Sequence, residues 1–595
     1  MSGSASALNL RLLSRPGRVL LAAWFLVTVV VGAYGYHDYA VEIHADPSWL
    51  TAIYHTAQLF ILHAPHFEHP LPLALELARW SAAIFFGATV FQIGRQLFPR
   101  EFAALRCFRF RNHVIIGGLG RRALQTARFE RSKPRGRRRN VVVIDHAPSD
   151  EMATACAALG AVVLTGDVND PDVLRAAGIR RASELWALCG EDGVNCEMAV
   201  QAHQILAQRS ARGGMPLEGR IHLLDVDLRV ELQRHARLAA RGAPLNLRFF
   251  DLYDHEARRV LLSELPIDHD GIGATEARRP HLIILGFGRM GRSIAIRAAK
   301  LGHFANAVDR AERRLRISVI DRNASQAEAA LLFRYPQFRE TCDFDGHQMD
   351  IESPEARLLI EEWCGDAGAL ASLTVCFDNA ARATEVGLRL LPVLSPDAVR
   401  IAIRIGQREG LGNMVDAMWA EPGARARVRT FGHLDERCCE AGVEDPANEA
   451  LARAIHDEFV ARRVAQGERD PNDRSMTPWT VLDEDLRESN RQQADHIMIK
   501  LRAIGVEARP LEGSADGFAF TPSEIELLSR MEHTRWNAER LMAGWTRGPK
   551  NVERRTSPYL CDWAELPDEV REYDRAAVRS IPALLKRVGM RPVRG

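Results

Sequence analysis

None of the ten cysteines pairs with another in a CxxC spacing, which excludes a zinc ribbon and a disulfide framework and leaves reduced thiols in a cytosolic body. Net charge is nearly absent as well: +1 over 595 residues gives no global field that would draw nucleic acid, and no nucleic-acid partner is expected. No nucleophile stands beside a placed acid or base, and no histidine or cysteine cluster has ligand spacing, so neither a catalytic residue nor a metal ligand is assigned. The remaining absence is local. Residues 19–36 run for 18 positions without a single charge.

A run of that length approaches the ~20 residues a bilayer-spanning helix needs. Its apolar part is too long for a signal peptide, and no small-residue cleavage site follows before His37-Asp38. A second apolar stretch, residues 71–98, is interrupted by Glu76 and Arg79, which lie three apart and can pair on one helical face. Arg11, Arg15 and Arg18 precede the first run, and Arg100, Arg106, Arg109 and Arg111 follow the second. The positive-inside rule then predicts a multi-pass protein of a bacterial inner membrane, with both termini cytoplasmic and residues 37–70 outside. Residues 49–62 are amphipathic and too short to cross. Span, short re-entrant helix and span resemble the pore module of potassium channels. The carbonyl-ring filter TVGYG of those channels is replaced here by His63-Ala-Pro-His66-Phe-Glu-His69, which does not support a selective potassium filter.

Behind the apolar region the chain reads strand, glycine turn, helix, strand, twice. Strands are predicted at 113–117, 140–144 and 161–164, with Gly118-Leu-Gly120-Arg-Arg-Ala123 after the first, Asp145 after the second and Gly166-Asp167 after the third. The second set has strands at 281–285 and 315–320, Gly286-Phe-Gly288-Arg-Met-Gly291, Asp321, and Gly346-His347, which puts His347 where Asp167 stands in the first. Glycines permit the tight turn and let backbone N–H groups reach a pyrophosphate, while the acid after the second strand can bond ribose hydroxyls. Asp145 lies 27 residues past Gly118, and the basic insertion 131–139 accounts for the excess over the usual ~20. Arg248 follows Gly166 by 82 residues and Arg429 follows Gly346 by 83, so duplication is expected. The cofactor-binding candidates are Gly118, Gly120, Asp145, Asp167, Gly286, Gly288, Gly291 and Asp321, with NAD or another adenine nucleotide as ligand.

The run His113-Val-Ile-Ile-Gly-Gly-Leu-Gly-Arg, Gly166-Asp167 and the Asp192…Asn195 pair resemble the regulator-of-potassium-conductance (RCK, TrkA-N-like) family. Residues 280–440 resemble a second, more divergent copy. The resemblance implies tandem Rossmann-type domains coupling nucleotide binding to a channel gate, in a homo-oligomer expected to be a tetramer.

After residue 440 the glycine turns stop, and residues 465–477 form a polar linker. Thr521-Pro-Ser-Glu524 is a capping box opening a helix that Gly544 closes. Met531-Glu-His-Thr-Arg-Trp-Asn-Ala-Glu-Arg540, Gly544-Trp545 and Gly548-Pro-Lys550 resemble the ryanodine-receptor repeat (RyR) domain over roughly 475–590. Indole faces beside guanidinium groups suit an adenine ring with phosphates, which singles out Arg535, Trp536, Arg540, Trp545 and Lys550. His533 is expected on the helix surface.

The fold class is therefore α/β: two doubly wound domains (112–265 and 279–440), an N-terminal two-helix transmembrane segment with a re-entrant helix (1–100), and a mainly α-helical RyR-like domain (475–590). The expected function is a ligand-regulated, channel-like membrane protein lacking a standard filter, with lipid bilayer and adenine nucleotide as partners. The alternatives are a non-conducting membrane-anchored sensor or scaffold and, third, a membrane-tethered NAD-dependent oxidoreductase.

Overall fold

The computed structural model describes residues 15–594 except 46–47, 64–66, 68, 208–215, 226–227, 230, 234, 236–243, 395–398, 406–427, 433–445, 468–472 and 512–516. Two compact units result, residues 1–110 and 111–595.

In the first unit, helices Arg15–Glu42 and Leu73–Leu97 flank the shorter Trp49–Leu59. Both long helices are long and apolar enough to cross a bilayer. They meet through small residues: a Cβ on Gly35 would lie 2.6 Å from the Leu75 backbone nitrogen, and one on Gly32 would meet Thr56 and Ala78. Close backbone approach of this kind, plus interhelical hydrogen bonds, is how helices pack where no water drives them together. Trp24 Nε1 donates to Ser81 Oγ at 2.8 Å, and the Thr28 and Ser81 hydroxyls lie 2.7 Å apart. Leu26, Val30, Leu77, Ile84 and Phe91 point outward and are exposed, a surface that hydrocarbon would solvate and water would not. Glu76 and Arg79 approach to 3.6 Å, the pairing expected from their spacing. Of the filter replacement, residues 64–66 and 68 lie outside the described residues.

The second unit holds two six-stranded, wholly parallel sheets. Sheet one comprises β1 (Val114–Gly117), β2 (Val141–Asp145), β3 (Val162–Thr165), β4 (Glu184–Ala187), β5 (Leu217–His222) and β6 (Leu245–Phe250), in the order β3-β2-β1-β4-β5-β6. Sheet two comprises β7 (Arg279–Leu285), β8 (Arg316–Asp321), β9 (Asp343–Gln348), β10 (Ala369–Val375), β11 (Val399–Arg404) and β12 (Val428–Phe431), in the same order relative to its own first strand. That is the Rossmann order, with the crevice beyond the ends of β1 and β4, and of β7 and β10. The inner strands β1 and β10 are buried along their whole length, as expected of strands covered by helices on both faces.

One hydrophobic core runs from copy two into the C-terminal region, joining Leu282, Met290, Leu451, Leu528 and Leu585. The helix Glu484–Ala503 anchors this joint with buried charge. Asp495 pairs with Arg258 of copy one's exit helix Leu252–Arg259 at 2.5 Å, and Arg297 of copy two's helix Arg289–Leu301 bridges Asp254 at 2.5 Å and Glu488 at 3.3 Å. Helix Pro522–Met542 carries the predicted capping box, and Gly544 follows it with φ +77°. Helix Asp568–Arg587 packs alongside, and β13 (Val506–Pro510) pairs antiparallel with β16 (Met590–Arg594).

Candidate functional site

The glycine turns of the two copies superimpose bond for bond. Gly118 N donates to Ile144 O at 2.8 Å and Gly286 N to Ile320 O at 2.9 Å, with φ +91° and +93° at these first glycines. Asp145 Oδ2 accepts the Leu119 N–H at 2.6 Å, and Asp321 Oδ2 accepts the Phe287 N–H at 2.7 Å. Their second oxygens accept from Ala147 and Asn323. The acids therefore hold the turns in shape, and a carboxylate's remaining lone pairs face outward for a ligand hydroxyl. A Cβ on Gly120 or on Gly288 would touch nothing within 4 Å, so each turn leaves space over the helix N-terminus that follows. Dipole and unpaired N–H groups there favour an anion.

The third fingerprint position differs. A Cβ on Gly291 would lie 2.2 Å from Gly286 O, whereas copy one accommodates Ala123 at this place.

Register corrects one equivalence. Asp145 pairs with Thr165 and Asp321 with Gln348, while Gly166 N donates to Asp145 O as Met349 N does to Asp321 O. Asp350, not His347, thus occupies the place of Asp167, and each accepts the N–H two residues on, from Asn169 and from Glu352. Gly346 lies inside β9 with the Glu328 carboxylate over it, not after the strand.

The rims differ in sign. In copy one Asp145 and Asp167 lie near the half-buried Cys189, whose thiol is pushed up to about 11 by burial and then by these two carboxylates. Asn169 Oδ1 is buried with no partner among the described residues, an acceptor left over for a ligand donor. In copy two Arg322 and Arg382 flank Asp350, and Phe377 stands where copy one has Cys189, its ring 3.0 Å from a Cβ built on Gly286. Asp192 and Asn195 brace the neighbouring loops: Asp192 accepts from Leu224 and Asp225 N–H groups, and buried Asn195 ties Cys189 to His222 O.

Between the copies, Tyr253 lies under Arg122 at 4.9 Å and Arg404 at 5.7 Å. Arg122 donates to His222 Nε2 at 3.2 Å, which requires a neutral imidazole. Burial, then Arg122, Arg229 and Arg289, bring His222 down to about 3. Register makes Arg404 the counterpart of His222, since Leu223 N and Ile405 N donate to Phe250 O and Phe431 O. Sequence reading overlooked this arginine group because its members lie up to 282 residues apart.

In the C-terminal region the predicted contacts separate. Arg540 is stacked between Trp536 at 5.5 Å and Trp545 at 5.1 Å, and its Nε has no hydrogen-bond partner among the described residues. Lys550 is exposed between β14 (Thr546–Arg547) and β15 (Thr556–Ser557). Arg535 faces the interior instead, 2% exposed, with Glu532 at 2.8 Å and Glu539 at 2.7 Å. Lys500 closes on Glu532 from the preceding helix, and the two cations beside it hold the Glu532 carboxyl down at about 2 against the cost of burial. His533 is buried too, not on the surface: its Nε2 meets Cys561 O at 2.8 Å and its ring stacks on Trp536.

A row His281–Ser318–Asp345 crosses sheet two, with Ser318 Oγ 2.7 Å from His281 Nε2 and 3.0 Å from Asp345. Serine is the middle member and fully buried, so the row is a structural ladder and not an activated hydroxyl.

Comparison with known proteins now bears on these parts. A TrkA-N domain model matches residues 114–212, and an RyR domain model matches residues 522–591. Copy one is thus similar to TrkA-N domains, and the C-terminal region to RyR domains. The TrkA-N match falls wholly in copy one, so copy two stands on the shared topology alone. No curated protein matches the chain. Among solved structures, GsuK bound to ADP is 18% identical with a TM-score of 0.35, covering 72% of this chain and 96% of that one. The GsuK channel bound to NAD is 15% identical with a TM-score of 0.33, covering 87% of this chain and 90% of that one.

Proposed function

We propose that this protein is a membrane-anchored adenine-nucleotide sensor of potassium-channel-like architecture, in which ligand bound at the strand-exit edges of the Rossmann copies biases the hairpin between two states. The observation that carries the reading is the pair of open glycine turns, each locked by its own aspartate with room for a phosphate where Gly120 and Gly288 lack a Cβ. Ligand need only prefer one state for occupancy to be transmitted. The bilayer, a homotetramer and cytoplasmic termini complete the proposal. The RyR domain supplies a second ligand surface, centred on Arg540, Trp545 and Lys550.

The test is a ligand survey on the full chain in detergent or nanodiscs with NAD, ATP, ADP-ribose and cyclic nucleotides. Binding to the native state alone adds about 2.7 kcal/mol at a hundredfold excess over Kd, a readily measured thermal shift. Gly120 and Gly288 have extended backbone that a side chain tolerates, so Gly120→Leu and Gly288→Leu fill the cradles without straining the turns. Loss of the shift in one variant assigns the copy; retention in the double variant rejects both cradles. Ion flux in proteoliposomes, with and without the stabilising nucleotide, then decides between a channel and a non-conducting scaffold. The second reading is kept because His63 to His69 stands where a carbonyl-ring filter would be.

A further inference from the structure

Because sheet one is wholly parallel, every strand begins at one edge and ends at the other. The segments entering β1 to β4 (111–113, 133–140, 159–161 and 177–183) hold eight arginines and lysines and no aspartate or glutamate. The exit edge mixes both signs, with Asp145, Asp150, Asp167, Asp170, Asp192 and Asp251 beside Arg121, Arg122 and Arg229. The entry edge of copy one is thus basic with no acid of its own in these segments, while its exit edge carries both signs.

The carboxylates nearest the basic edge are already taken: Glu130 by Lys133 and Arg139 at 2.6 Å each, and Glu184 by Arg139 at 2.6 Å and Arg220 at 3.3 Å. Arg135, Arg137 and Arg138 remain exposed, and none forms an ion pair among the described residues. Their turn is fixed by Pro134, by Arg137 N donating to Pro134 O, and by Arg138 Nε donating to Lys133 O. Arg111 and Arg180 are exposed on the neighbouring entries.

Copy two shows that the fold does not require this. Its entry segments mix signs and pair them, as Glu276 with Arg278 and Asp309 with Arg530. Membrane insertion accounts only for Arg111 among the basic residues of copy one's entry edge, since topology is set by charges within about 15–20 residues of a span. Arg135 and Arg180 lie 38 and 83 residues beyond Leu97. The basic copy is, however, the one that follows the apolar hairpin in the chain.

We propose that the strand-entry edge of copy one is a docking surface for anionic phospholipid headgroups. The inference rests on the reading of the hairpin as membrane-spanning. Charge attraction at such a surface acts within a Debye length and is lost in high salt.

The test uses the full chain in nanodiscs of phosphatidylcholine alone and of phosphatidylcholine with phosphatidylglycerol, followed by hydrogen exchange. Residues 134–138 and 179–182 are expected to exchange several-fold more slowly in the anionic discs, with the difference gone above ~0.5 M salt. The triple variant Arg135→Gln, Arg137→Gln, Arg138→Gln should remove the difference at 179–182 also. Protein that enters discs but exchanges identically in both lipids overturns the docking surface alone. Protein that fails to enter discs overturns the membrane reading and this inference with it. Protection by added duplex RNA but not by the anionic lipid reassigns the edge and also overturns it.

Discussion

The two Rossmann copies share strand order, turn hydrogen bonds and locking aspartates, yet they have been put to different uses. Copy one builds a core of its own around Val114, Ile116, Trp186 and Phe250, keeps Asp145 and Asp167 at its rim, and gathers basic residues at its strand-entry edge. Copy two merges its core with the C-terminal helices, covers its first glycine with Phe377, and neutralises its rim with Arg322 and Arg382. Duplication preserved what the backbone needs and released what the side chains do. Under the proposed function, the divergence makes copy one the better candidate for a reversible ligand and copy two the better candidate for a scaffold.

The sharpest way to break that contrast is at the scaffold joint. Arg297→Met takes the buried cation from Asp254 and Glu488 while Asp495 keeps Arg258, and removal of one buried partner costs about 3–5 kcal/mol. Chemical denaturation should show copy two and the C-terminal region destabilised together. Arg139→Met in copy one removes a partly buried partner of Glu130 and Glu184 but leaves them Lys133 and Arg220, and should cost clearly less in the same assay. Equal losses would mean that the copies are not mechanically distinct.

Next in size are the turns. Gly291→Ala drives a Cβ into Gly286 O, and overpacking of this kind costs about 1–3 kcal/mol. The converse change, Ala123→Gly, should cost no more than ~1 kcal/mol, the helix-propensity difference. Asp145→Asn and Asp321→Asn each weaken a charge-assisted bond to a turn N–H, a loss of about 1.5–3 kcal/mol at most. If copy one is the receptor, only Asp145→Asn should also reduce the nucleotide-induced thermal shift.

Much of this was legible beforehand. Strands β1, β2, β3, β7 and β8 begin and end within two residues of their predicted limits, because apolar runs closed by glycine or aspartate leave the backbone few choices. The Asp350 equivalence was hidden by Gly346-His347, which imitates Gly166-Asp167. The better signal was the shared spacing to the next helix start, Asp167 to Asp170-Pro171 and Asp350 to Ser353-Pro354, with Asp170 and Ser353 both capping. The inward turn of Arg535 and His533 was unreadable for a different reason. Burying a charge is tolerable only with partners, and Lys500 lies 32 residues before Glu532, on another helix.

The smallest expected effect concerns pH, where the copies differ at two places: His222 and Asp251 in copy one stand where copy two has Arg404 and Gly432. His222, held down to about 3, binds fewer protons folded than unfolded between about pH 3 and 6.5, so its contribution to stability falls as pH falls through that window. Asp251, 4.0 Å away, is pushed up to about 6 chiefly by burial, so it binds more protons folded than unfolded between about 3.8 and 6, and its contribution rises as pH falls. The two slopes oppose each other over nearly the same range, and the native protein should show little local pH dependence there. His222→Gln removes one slope and exposes the other: relative to wild type, the variant should gain stability between pH 6 and 4 in a denaturation series. Arg404→Gln, with no group titrating in that range, should shift stability by an amount that does not change with pH. A His222→Gln profile parallel to wild type would show that the imidazole is not held neutral between the copies, and the arginine group around Tyr253 would then need another source of charge balance.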